Sequence, residues 1–154
     1  MSDTITITLS PEEYRQLLVL TFLGEWMVNG VRKEPDPICE DTASKVYAFA
    51  KGTALEELTR FDRNQGDWVA SDKLGAEAHA LIDEYDDTTF WEELTARLVE
   101  RDLMAQRGER AVRSMRPEQR IRASKPIAQA YTREFENQGL DRLFVTEGNA
   151  GWKS

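Results

Sequence analysis

A recurring signal for starting α-helices does most to constrain how this chain can fold. Ser10-Pro11-Glu12-Glu13, Thr53-Ala54-Leu55-Glu56 and Thr89-Phe90-Trp91-Glu92 each set a hydroxyl three residues ahead of a glutamate. In such a capping box the hydroxyl accepts one unpaired N–H of the first turn and the carboxylate reaches back to another. Pro11 strengthens the first box, because proline brings no N–H to the first helical position. A chain that repeats this signal is expected to be mainly α. Its 154 residues suit one domain, and 40% hydrophobic residues can supply a core.

The expected architecture is a single helical domain over 1–154, a multi-helix bundle of about six helices with a small two-stranded sheet. Helices are expected over 11–29, 41–51, 54–63, 72–85 and 90–106, with 109–138 helical but broken. Gly30 stops the first, and the prolines of Glu34-Pro35-Asp36-Pro37 mark a linker. Asn64-Gln65-Gly66-Asp67 is a turn cluster. Leu74, Ala78, Leu81, Ile82 and Tyr85 form the cleanest helical stripe, which Asp86-Asp87-Thr88 is expected to end. Gly108 and Pro117 punctuate the next stretch, and Pro126 is expected to open a last helix closed by Gly139. Thr4 to Leu9 alternates polar and apolar residues as a half-buried strand does. Its expected partner is the apolar segment 143–146, so that the sheet joins the N- and C-terminal segments, with 147–154 a frayed tail.

Composition narrows the function classes. One cysteine, Cys39, cannot form an internal disulfide, which favours a reducing compartment. The most apolar stretch, Leu17 to Val28, is 12 residues long, short of the ~20 that span a bilayer. Glu12 and Glu13 precede it where a secretory signal carries basic residues. The expectation is a cytoplasmic protein without a membrane partner. A net charge of −8 argues against gripping nucleic acid. Ala48-x-x-x-Gly52 has helix-turn-helix spacing, but its second helix would present Glu56, Glu57 and Asp62 against only Arg60 and Arg63.

Two sets of residues carry candidate chemistry. His79 lies off the apolar stripe with Asp83 four residues on, and Glu84 and Asp87 follow, making these four the candidate metal ligands. Glu84-x-x-Asp87 resembles one half of the carboxylate motif that holds Mg²⁺ in helical nucleotide pyrophosphohydrolases. The other half, Glu-Glu-x-x-Glu, is missing: Arg60 follows Glu56-Glu57 and Ala96 follows Glu92-Glu93. A Mg²⁺-dependent phosphohydrolase or metal-binding protein is thus the alternative function, against the ordinary placement of acids at helix starts. Cys39 stands just before an expected helix start, where a thiolate gains stability, and His79 is the sole imidazole that could assist it. No cofactor is expected.

The second set is a charge asymmetry. Residues 107–125 hold seven basic residues against Glu109 and Glu118, a net +5, whereas 72–102 holds ten acids against three bases, a net −7. The candidate partner-binding residues are Arg107, Arg110, Arg113, Arg116, Arg120 and Arg122. Arginine suits bidentate contacts with carboxylates. The segment can pair internally with the acidic helices, or meet an acidic surface on a protein partner or a second copy. The second course makes this a non-enzymatic interaction or self-associating domain.

Overall fold

A computed structural model describes residues 5–144. It is mainly helical, with five α-helices and one two-stranded antiparallel sheet. The chain divides into two compact units, Met1–Tyr85 and Asp86–Ser154. None of the described helices is long and apolar enough to cross a membrane.

In the first unit, α1 (Pro11–Asn29) begins with the expected capping box: Ser10 Oγ accepts from Glu13 N (3.2 Å) and Glu13 Oε2 accepts from Ser10 N (2.7 Å). α2 (Pro37–Ala48) starts four residues earlier than expected. The linker prolines do not delay it, because Pro37 occupies the first helical position and Asp36 caps the N–H groups of Ile38 and Cys39, both at 3.0 Å. Asn29 Oδ1 accepts from Asp36 N (2.9 Å), tying the end of one helix to the start of the next. Leu18 and Val19 of α1 pack with Ala43 and Tyr47 of α2, and with Leu58 and Leu74, in one buried cluster. Two phenols cross this helix pair: Tyr14 donates to the Val46 carbonyl (2.6 Å) and Tyr47 to Glu25 Oε2 (3.1 Å). Burial holds the Glu25 carboxyl above its ordinary range, against the lowering effect of the Tyr47 bond.

The sheet lies elsewhere than expected. The helix expected over 54–63 is replaced by a 3₁₀ turn, Glu56–Leu58, and a hairpin of β1 (Thr59–Asp62) and β2 (Asp67–Ala70). Gly66 turns the hairpin at φ +79°, and Asp62 Oδ1 accepts from Asn64 N (2.8 Å). Phe61 and Trp68 face each other across the register with rings 5.7 Å apart. Ser44 Oγ accepts from Trp68 N (3.1 Å) and donates to Asp67 (3.2 Å), fastening β2 to α2. At the Thr53 box, Glu56 instead accepts from Gly52 N (3.0 Å) and closes a turn. The expected pairing of the chain ends is absent among the described residues. Residues 5–9 and 143–144 are not strands, Ile5 and Ile7 are exposed, and the two-stranded sheet pairs only with itself. Thr4 and residues 145–154, which include the rest of the second expected strand and the tail, lie outside the described residues.

α3 runs from Asp72 to Arg107 without the break expected at Asp86-Asp87-Thr88. No proline stands there, and Asp and Thr lower helix stability by less than ~0.7 kcal/mol each. Trp91 Nε1 donates to Asp87 Oδ1 (3.2 Å) one turn back, bridging the segment. Leu74, Ala78 and Ile82 of the expected stripe are buried, whereas Leu81 and Tyr85 are exposed.

In the second unit, α4 (Glu109–Arg113) and α5 (Pro117–Gln138) follow the end of α3. The break in 109–138 falls just before Pro117. Pro126, expected to open a helix, lies inside α5. Gly139 ends α5 with the expected positive φ, +55°.

Candidate interaction surface

The second unit is built on a helical hairpin. Trp91, early in this part of α3, meets Phe135 near the end of α5 with ring centroids 5.3 Å apart. Nearer the connection, Glu100 pairs with Arg120, so the two helices run antiparallel. Gly108 turns the chain at φ +82°, and Val112 of α4 is buried. Arg101 and Asp102 both bond the Tyr131 hydroxyl, and Tyr131 stacks on Phe135 at 5.7 Å.

These contacts leave the hairpin thinly covered. Val99, Leu103 and Val112 are its buried apolar side chains among the described residues, and α5 contributes none. Along one side, α3 and α5 are separated by a groove of about 730 Å³. Its lining is largely apolar, with Trp91, Phe135 and Leu103 beside the small side chains of Ala96 and Ala128. Glu92, Glu100, Arg120 and Glu136 stand along its rim. Ile121, on the same face of α5, is 66% exposed.

Charge is sorted along the hairpin. Residues 86–144 carry eleven acids and eleven bases, so the whole net charge of −8 belongs to residues 1–85. Within the hairpin, 103–125 at the connected end carry +5. The open end holds four acids and no base over 86–96, and three acids with two bases over 131–144, together −5. All six candidate arginines are exposed. Arg113 pairs with Glu109 (2.5 Å) and Arg120 with Glu100. Arg107, Arg110, Arg116 and Arg122 have no carboxylate within 4.0 Å among the described residues. The internal pairing considered from sequence is therefore partial.

The other candidates fare differently. His79, Asp83, Glu84 and Asp87 all lie exposed on α3. His79 Nδ1 bonds the Gly75 carbonyl (2.8 Å), its ring meets Phe22 edge-on, and Asp87 accepts from Trp91. Among the described residues, no three His, Cys, Asp or Glu side chains gather in a way that could hold a metal ion. The thiol of Cys39 is pushed up by desolvation and by Glu25, Asp36 and Glu40, which disfavours the thiolate at the start of α2. The helix-turn-helix spacing at Ala48 leads into a β-hairpin, so its recognition helix does not form.

Comparison with protein-family models, curated proteins and solved structures finds no match. The groove and the Arg101–Asp102–Tyr131 contacts escape sequence reading because their members come from two helices far apart in the chain, about 30 residues for Tyr131 with Arg101 and Asp102, with no fixed spacing between them. The legible trace was the i, i+4 pair Tyr131 and Phe135.

Proposed function

We propose that this protein is a non-enzymatic interaction domain, and that the connected end of the α3–α5 hairpin is its recognition surface. One observation carries the reading: Arg107, Arg110, Arg116 and Arg122 cluster at that end without a carboxylate partner among the described residues. Guanidinium groups are planar donors matched to carboxylates, so the fitting partner is an acidic protein surface. A long phosphate backbone is the poorer match, because a continuous anionic strand must approach a chain of net charge −8, whereas the carboxylates of a protein partner can be confined to the arginines. The single cysteine supports a reducing compartment, the cytoplasm.

Site-specific photo-crosslinking tests this. A benzophenone amino acid at Ile121, beside the arginines and exposed, is expected to yield a covalent adduct in cells producing the full chain. The adduct should fade when Arg110, Arg116 and Arg122 are changed to glutamate. Absence of any adduct from Ile121, and from a second probe at Met115, overturns the proposal.

A further inference from the structure

We infer that the carboxylate recognised by this surface enters one cleft, lined by Arg107 and Arg122, as an acidic side chain next to an aliphatic one on a segment of a protein partner. The inference rests on the interaction reading above and names the chemistry that the partner presents. α5 offers two faces. Arg120, Ala128 and Phe135 line the groove already described, where Arg120 is taken by Glu100. Glu118, Arg122 and Pro126, with Gln119, Ala123 and Ile127 one residue on, recur at helical spacing along a different face. They line a separate cleft of about 550 Å³, completed by Gln106 and Arg107 at the end of α3 and by Met115 just before α5.

Three features of this cleft select its ligand. Arg107 and Arg122 bring two guanidinium groups to it, and neither has a carboxylate within 4.0 Å among the described residues. Glu118 is the one acid of the lining, four residues from Arg122 without reaching it. An exposed pair at that spacing is worth little, so a carboxylate gripped by both arginines prevails over it. Met115, Ala123 and Ile127 are half-buried and make part of the lining apolar. Pro126 brings no N–H, so the Arg122 carbonyl on this same face keeps an unused acceptor. A peptide segment meets all three demands, with its acidic side chain, an aliphatic neighbour and a backbone N–H. A phosphodiester backbone has no N–H to give, and the lining holds no aromatic ring on which a base could stack. Arg110 and Arg113 lie apart, beside Ser114, where they steer the partner's approach rather than grip it.

The experiment pans a random heptapeptide library, displayed on phage, against the immobilised full chain. Enriched peptides are expected to carry Asp or Glu beside an aliphatic residue. The selected peptide, added to the full chain in solution, should shift the methyl resonances of Met115, Ala123 and Ile127. Arg107→Gln with Arg122→Gln should weaken its binding at least about tenfold. Arg97→Gln with Arg133→Gln removes the same charge outside the cleft and should change binding less than about threefold, because distant exposed charges are screened. Ala123→Trp fills the cleft at constant charge and is also expected to cost at least about tenfold. If circular dichroism shows that Ala123→Trp has lost helix, the arginine pair, both exposed, decides alone. No enrichment, selected peptides without an acid, or equal binding to the Arg107→Gln, Arg122→Gln chain overturns the inference. So does oligothymidylate or inorganic phosphate that shifts the same methyls at lower concentration than the peptide. An adduct at Ile121 in cells would in that case keep the interaction reading and move its site elsewhere on the surface, whereas no adduct at all would end both.

Discussion

Asp102 accepts hydrogen bonds from two different parts of the hairpin. Arg101 Nε, its neighbour in sequence, donates at 2.8 Å, and the Tyr131 hydroxyl donates from α5. The Arg101 bond and then the Tyr131 bond hold its carboxyl below the ordinary range. An aspartate in an unfolded chain titrates near ~3.9, and the folded value lies lower. Protons therefore prefer the unfolded chain. The stabilisation is complete above the unfolded value and is lost as pH falls through the folded one. Asp102→Asn is expected to flatten the acid limb of stability between about pH 2 and pH 5, measured by urea unfolding across that range. Tyr131→Phe should act in the same direction and cost about 1 kcal/mol at neutral pH. If the variants and wild type lose stability in parallel on acidification, Asp102 is not held by these donors. None of this was legible in the sequence, where Asp102 is one acid among ten in an acidic run.

Where the sequence reading of the elements succeeded, the deciding chemistry was local. Ser10-Pro11-Glu12-Glu13 closes its capping box within four residues, and α1 starts and stops where the residues say. The same motif failed at Thr53 because β1 and β2 follow at once, and pairing Phe61 with Trp68 outcompetes a short helix. At Thr89 it lies inside α3, where residues of the preceding turn already supply acceptors, so the box has nothing to cap. The strand expected over 4–9 rests on alternation and that over 143–146 on a short apolar, β-prone run, and neither pattern supplies a partner. Pro126 shows the opposite error: it reads as a helix start but sits in the middle of α5, where it leaves the Arg122 carbonyl without its helical N–H. Pro126→Ala restores that bond and is expected to stabilise the protein by about 1–3 kcal/mol in thermal or urea unfolding, with a gain in helical circular dichroism. Unchanged stability would mean that α5 is not one helix through this position.

Burial is uneven over the molecule, and this ties the fold to the proposed association. Among the described residues, twelve hydrophobic side chains are buried, nine within 1–85 and three within the hairpin unit. Fully burying a large aliphatic or aromatic side chain contributes about 1.5–3 kcal/mol, so the hairpin, with fewer of them, is expected to be the less stable unit. α5, with no buried side chain of its own, should open most readily, whereas α2 is held by Tyr47 in the buried cluster and by Ser44 to β2. In hydrogen exchange on dilute protein, the amides of α5 are expected to exchange at least about tenfold faster than those of α2, a difference of only ~1.4 kcal/mol in opening energy. Association stabilises only what it covers, by an amount that grows with the concentration of the partner. Equal protection of α2 and α5 in dilute protein would show that the hairpin completes its own core.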